Sequence, residues 1–381
     1  MSLRVRVSMV FFAMVLAIPG TAIPARAVAA GDVVSAQKVT LYYDPARLLK
    51  VPAKVWKILY HSTSATGAPV QVSGTVLVPK TPYPGTRPII GYAVGTKGLG
   101  DQCAPSALWQ RGKDNEIALV SLLLARGWAV AVTDYEGLGT PGPHTYMAGV
   151  SQGHAVLDAI RAAARVPDAG LSASAEVGVL GYSQGGAAAG WAAQLQRAYA
   201  PELRLRGVAA GGVPADLKRA ADHLDGRAHF GLAAAAGAGL DSAYPELDLD
   251  GYLTAEGRTL FAGIRDDCTG AIVDKLAGRR FSQLTTADVL NAPAWQARLN
   301  ENRLGGRTPG VPIYLYHADD DEIIPIAIGR TLRRDWCDRG AKVLWTPLPA
   351  PNHTTGAVEG APIAIAWLSS RFEGLPALSN C

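Results

Sequence analysis

Apolar residues along this chain recur in two rhythms. "RPIIGYAVG" (87–95), "WAVAVTD" (128–134) and "EVGVLGY" (176–182) are nearly continuous apolar runs, as expected of strands buried on both faces of a parallel sheet. "VWKILYHST" (55–63) and "QVSGTVLVP" (71–79), joined by a glycine-containing turn, suit an antiparallel pair. "VPIYLYHA" (311–318) and "KVLWTPL" (342–348) add two more strands. Between them, residues 115–127, 151–166, 185–199 and 361–372 carry helical patterns. Strands alternating with helices at this spacing predict a three-layer α/β sandwich around a mainly parallel central sheet. No internal repeat and no Pro-rich or Gly/Ser-rich linker interrupts it.

Residues 214–306 do not follow the alternation. "LAAAAGAGL", "ELDLDGYL" and "TTADVLNAPAWQARL" read as short helices without buried strands, so this stretch is expected to be an inserted helical cap. It would divide the core into residues 28–213 and 307–381. The length exceeds what one hydrophobic core usually fills, which also favours one large domain with an insertion. Residues 1–27 have another layout: Arg4 and Arg6, an apolar run, then small residues around Ala25 and Ala27. That is the plan of a secretory signal peptide, and no later stretch is apolar enough for a transmembrane anchor.

Cleavage there takes away Arg4, Arg6 and Arg26 and no acid, so the formal charge of +4 becomes +1. A nearly neutral chain has no electrostatic footprint for nucleic acid. With 49% hydrophobic and 18% charged residues, disorder is excluded as well. The four cysteines, Cys103, Cys268, Cys337 and Cys381, match no zinc spacing. In an exported protein they are better read as two structural disulfides. Three pairings are open; a Cys337–Cys381 bridge would close the C-terminal tail and leave Cys103 with Cys268.

"GYSQGG" (181–186) lies between an apolar strand and an alanine-rich helix. Gly181-Tyr182-Ser183-Gln184-Gly185 fits G-x-S-x-G, the strained strand-to-helix turn that exposes a serine nucleophile. Ser183 would sit above a helix N-terminus, where backbone N–H groups favour negative charge. The Gln184 N–H, next after the nucleophile, is the expected first donor to an oxyanion. A serine hydroxyl needs a general base, and with this motif the partners follow in the order Ser, acid, His. His61, His144 and His154 precede the serine, and His223 and His229 fall within the expected cap. His317 ends a strand, which leaves His353, in a polar loop after the last strand. The acid should lie in "DDDEIIP", where Asp319, Asp320, Asp321 and Glu322 are equally eligible on physical grounds.

"GTKGLGDQCAPS" (95–106), "GYSQGG", "HADDDEIIP" and "NHTTGAVEGAPIAIAWLSSRF" together resemble the secretory lipase family, which includes the type-A yeast lipases. The resemblance runs from about residue 40 to the C-terminus. It implies an α/β-hydrolase core with a helical cap and hydrolysis of carboxylic esters. By similarity the acid lands on Asp321, and the cysteine of "CAPS" is a disulfide position consistent with Cys103–Cys268. The second oxyanion donor falls on the backbone of Thr96 or Lys97. The H-G-G-G string of many esterases is absent; Gly95-Thr96-Lys97-Gly98 stands in its place. The expected protein is a secreted lipase acting through an acyl-enzyme on lipid or other esters, at a lipid–water interface, with no metal or organic cofactor. Its rivals are an acyltransferase on the same residues, a peptidase, and a catalytically silent lipid-binding member of the fold. "LAAAAGAGL" (232–240) is expected to form part of an apolar wall for the acyl chain.

Overall fold

The computed structural model describes residues 28–381 together with residues 1–3, 5, 6 and 9, so the expected signal peptide falls largely outside the described residues. Nine strands form one sheet: β1 (Val33–Lys38), β2 (Ala53–Thr63), β3 (Pro69–Pro79), β4 (Ile89–Ala93), β5 (Ala129–Thr133), β6 (Glu176–Tyr182), β7 (Arg204–Gly211), β8 (Ile313–Ala318) and β9 (Val343–Leu348). Their order is β1-β2-β3-β5-β4-β6-β7-β8-β9. The first three pairings are antiparallel, with β2 and β3 in register from Ala53↔Pro79 to Thr63↔Pro69. From β5 to β9 every pairing is parallel. This is the α/β sandwich expected from the alternating pattern.

Nothing in the apolar pattern marks the strand β7. "RLRGVAAG" is poor in β-branched and aromatic residues, yet its last five positions are buried. Small residues are required because aromatic rings press on the strand. A Cβ on Gly207 would lie 2.8 Å from Trp367, and one on Gly211 would lie 2.3 Å from Tyr316. The edge strand β1, half exposed, also lacks the alternation that would reveal it.

Helices flank the sheet: α1 (Pro105–Leu108), α2 (Ile117–Ala125), α3 (Gly149–Ala163) and α4 (Gln184–Tyr199) come before β7. Between β7 and β8 come α5 (Leu217–Leu224), α6 (Phe230–Ala243), α7 (Leu249–Tyr252), α8 (Ala255–Ile264), α9 (Thr269–Leu276), α10 (Phe281–Leu284) and α11 (Pro293–Glu301). The chain closes with α12 (Ile326–Asp338) and α13 (His353–Phe372). In α5, Leu217, Ala220, Ala221 and Leu224 are buried at i, i+3, i+4 and i+7, the stripe of a helix packed on one face. The Asp216 side chain caps that helix by accepting from Arg219 N at 3.1 Å.

The helix α13 begins eight residues before the expected start at residue 361. Pro362 looks like a first-turn proline, but it lies inside the helix on the solvent side. A proline there removes one intrahelical bond, yet twenty residues of helix packed on the sheet keep the segment helical. The true N-cap is Asn352, whose Oδ1 accepts from Thr355 N at 2.8 Å. His353 is therefore the first residue of a helix and not part of a free polar loop.

Cys103 is bonded to Cys268 and Cys337 to Cys381, each pair with Cα atoms 5.4 Å apart. The first bridge ties the start of α1 to the start of α9, and the second ties α12 to the C-terminal tail.

Candidate active site

Ser183 sits where β6 runs into α4, with φ 60° and ψ −124°. An L-residue avoids this region unless its surroundings impose it. Here the imposition is close packing on both sides. A Cβ on Gly181 would stand 2.2 Å from Gly185 O, and a Cβ on Gly185 would stand 2.0 Å from Ala93 O. Only glycine permits the strand and the helix to approach this closely. The turn leaves Ser183 half-buried while its neighbours on both sides are buried. The first N–H groups of α4, beginning with Gln184, lack intrahelical acceptors.

The four candidate acids separate in space. Asp319, Asp320 and Glu322 are exposed, whereas Asp321 is 7% exposed. Asp321 Oδ1 accepts from Ile323 N at 3.0 Å and from Ile324 N at 2.7 Å. Its Oδ2 accepts from His353 Nδ1 at 2.7 Å. Glu322 instead holds the main chain, its Oε2 accepting the His353 backbone N–H at 2.8 Å. The ring of Tyr182 lies 4.9 Å from that of His353, centroid to centroid. Main chain, acid and aromatic neighbour thus fix the orientation of the imidazole. No hydrogen bond joins Ser183 Oγ to His353 among the described residues; such contacts commonly tighten only once substrate is bound.

A second histidine shares the acid. His317 Nε2 lies 2.8 Å from Ile324 O and 3.2 Å from Asp321 Oδ2. A carbonyl can only accept, so Nε2 carries the proton and points between the two oxygens. Burial by itself would raise the Asp321 carboxyl. The hydrogen bonds from His317 and His353 outweigh that and hold it well below the usual carboxylate range. In sequence His317 is only a histidine ending a strand, four residues before Asp321. The crossing of the following loop back over the strand end brings the two together.

Thr96 and Lys97, the alternative second donors, are treated differently by the fold. Thr96 lines a small cavity with Ser183, Gln184, Tyr146 and Met147, and its Oγ1 lies 2.8 Å from Tyr146 OH. The Lys97 ammonium is drawn away, 2.6 Å from Glu116 Oε2 and 2.7 Å from Asp114 Oδ2. Burial would lower the Lys97 pKa, but the two carboxylates keep it above its ordinary value. Glu116 also accepts from Gly95 N at 3.1 Å and from Tyr92 OH at 2.8 Å. In the sequence Glu116 is one polar residue among others ahead of an apolar helix.

The remaining wall of the cavity is apolar and comes from α5 and α6, including Leu217, Leu224, Leu232 and Ala236, with Pro214, Ile323 and Ile324 from the adjoining loops. A second apolar cavity deeper among α6, α8 and α11 shares Leu217, Ala221, Ala233 and Ala236 with the first. Ala235, by contrast, is buried on another face of α6. Among the described residues, no three His, Cys, Asp or Glu side chains converge as a set that could hold a metal. No helix among them is long and apolar enough to cross a membrane.

The chain has relatives. Lipase 4 of Candida albicans is 31% identical over 376 residues, covering 93% of this chain and 80% of that protein. A Mycobacterium tuberculosis protein named as a probable inactive lipase is 32% identical over 346 residues, covering 86% of this chain and 76% of its own. Candida antarctica lipase A in its closed state is structurally similar with a TM-score of 0.84 at 26% identity, over 92% of this chain and 84% of that one. The sequence pattern of the secretory lipase family matches residues 106–380. The chain belongs to that family of carboxylic-ester hydrolases, built on the α/β-hydrolase fold.

Proposed function

We propose that this protein is an exported serine hydrolase that cleaves acylglycerols or other lipid esters through an acyl-enzyme. In this reading Ser183 Oγ attacks the ester carbonyl while His353 Nε2 takes its proton. Asp321 holds the other ring nitrogen as N–H, which leaves Nε2 free to act as the base and stabilises the imidazolium that forms. The carbonyl oxygen becomes an alkoxide, received by the N–H of Gln184 and the N–H of Thr96. Thr96 is favoured over Lys97 because Thr96, and not Lys97, lines the cavity that holds Ser183 and Gln184. His353 then protonates the leaving alcohol, and water activated by the same ring releases the acid. The helices α5 and α6 serve as a cap whose apolar inner face receives the acyl chain.

The observations that support this reading are a positive-φ Ser183 at a helix N-terminus and a buried Asp321–His353 pair 2.7 Å apart, with the His353 ring packed 4.9 Å from that of Tyr182, the residue before the serine. Export is supported by the leader-like residues 1–27, the two disulfides and the secretory family. A catalytically silent, lipid-binding role is the second reading, favoured by the inactive name of one relative. One experiment separates them: turnover of nitrophenyl esters by the secreted protein and by Ser183→Ala. We expect turnover that a phosphonate abolishes by covalent addition at Ser183. The variant should lose roughly 10⁶-fold, because nucleophile, base and acid act as a unit. A variant retaining a tenth of the activity would overturn the assignment. A wild type inert toward every ester from acetate to oleate would favour the silent reading.

A further inference from the structure

The loop that carries Thr96 is held from two sides. On the core side, Glu116 accepts the Gly95 N–H, and Tyr135 OH donates to Val94 O at 2.9 Å. Both partners of the 94–95 peptide are therefore fixed. On the other side, the segment between α8 and α9 runs antiparallel to the loop, with Gly98 bridged to Cys268. Leu99 N donates to Asp267 O at 2.9 Å, and Thr269 N donates to Lys97 O at 3.0 Å. One more bond comes from a side chain: Thr269 Oγ1 donates to Thr96 O at 3.0 Å. A trans peptide is planar, so holding the Thr96 carbonyl fixes the whole 96–97 plane. The 95–96 peptide, which carries the Thr96 N–H, lies between the two anchored planes. Among the described residues that N–H has no acceptor.

We propose that Thr269 is a positioning residue for the oxyanion-stabilising loop, its hydroxyl holding the Thr96 carbonyl so that the neighbouring Thr96 N–H stays aimed at the Ser183 cavity. The inference rests on the catalytic reading of Ser183 given above and extends it to a residue of the inserted helices. Thr269 is itself held, since it follows Cys268, which is bonded to Cys103. The hydroxyl is thus delivered from a covalently anchored helix start 173 residues away in sequence. Preorganisation of this kind matters because the donor must already point at the oxygen when charge develops, without reorganisation at that moment. If the hydroxyl is lost, the Thr96 carbonyl has no partner at that place and the anchor on this side recedes by one peptide, to the Lys97 carbonyl held by Thr269 N.

The test compares Thr269→Val, Thr269→Ala and Thr269→Ser with the wild type. Valine keeps the shape, alanine adds no bulk, and serine keeps the hydroxyl. Removing an oxyanion donor outright costs on the order of 10²–10³ in kcat. Loosening one should lower kcat by roughly 10- to 100-fold in the valine and alanine variants, with KM changed less than about twofold. Phosphonate inactivation, which also places a negative oxygen in the hole, should slow by a similar factor. Serine should restore most of both rates. Hydrogen exchange followed by mass spectrometry should show faster exchange across residues 95–99 in the valine and alanine variants alone. Full kcat in the valine and alanine variants, with Ser183→Ala inactive, would overturn this inference and leave the catalytic reading standing. A loss that serine does not rescue would also overturn it. An active Ser183→Ala would remove the catalytic reading, and this inference with it.

Discussion

Replacing Asp321 by asparagine tests the coupling between acid and base with almost no change of volume. The carboxylate accepts three hydrogen bonds, two on Oδ1 and one on Oδ2, and His317 Nε2 stands a further 3.2 Å from Oδ2. On Oδ1 both donors are backbone amides, Ile323 N and Ile324 N, which cannot exchange roles. The asparagine carbonyl must therefore take the Oδ1 position, and its NH₂ must face His353 Nδ1 and His317 Nε2. To avoid N–H against N–H, His353 has to adopt the tautomer with its proton on Nε2, the nitrogen that should accept the Ser183 proton. An imidazole in that tautomer is no base toward the serine. A loss on the order of 10⁴ in kcat is expected, as for the same exchange in a serine protease, which at 1.36 kcal/mol per decade is about 5 kcal/mol of barrier. The assay is kcat and KM on a nitrophenyl ester, with Asp319→Asn and Asp320→Asn as controls. Those two acids are exposed, so their variants should stay within about threefold of wild type, as surface changes away from special features usually do. An Asp321→Asn enzyme within tenfold of wild type, or equal losses at the three positions, would refute the reasoning.

Two further outcomes follow from burial. Ala236 faces both apolar cavities, and burying each acyl methylene is worth roughly 0.8 kcal/mol. The wild-type kcat/KM should therefore rise from acetate toward medium-chain esters. Ala236→Trp should penalise octanoate far more than acetate, and equal losses at every chain length would exclude the wall. Burial also lowers the His144 pKa to about 4, against an ordinary 6.5, so the folded state binds that proton less readily than the unfolded chain. The His144 contribution to stability should be flat above about pH 6.5 and fall by about 3 kcal/mol as the pH drops to 4. His144→Asn can still donate to Glu136 O, as His144 Nδ1 does at 2.7 Å, and should flatten the Tm profile in that window. Parallel Tm curves for the two proteins would count against the assignment.

The parts of this protein legible in its sequence are those decided by neighbours a few residues apart. Continuous apolar runs mark the central strands, and glycines flanking Ser183 mark the elbow, because both patterns follow from local backbone sterics and side-chain period. The strand β7 is hidden because its small residues answer to Trp367 and Tyr316, which arrive from elsewhere in the chain. The true start of α13 is obscured by Pro362, whose local cost is offset by packing along the whole helix. Four acids in a row are equivalent until the chain folds. Only then does Asp321 alone become buried and meet two backbone amides and two imidazoles. His317, Glu116 and Thr269 carry no signature at all, since each acts through a hydrogen bond to a backbone atom or side chain that the fold delivers. A hydrogen bond requires atoms within about 3 Å, and for Thr269 and Thr96 that proximity is created across 173 residues by the tertiary structure alone.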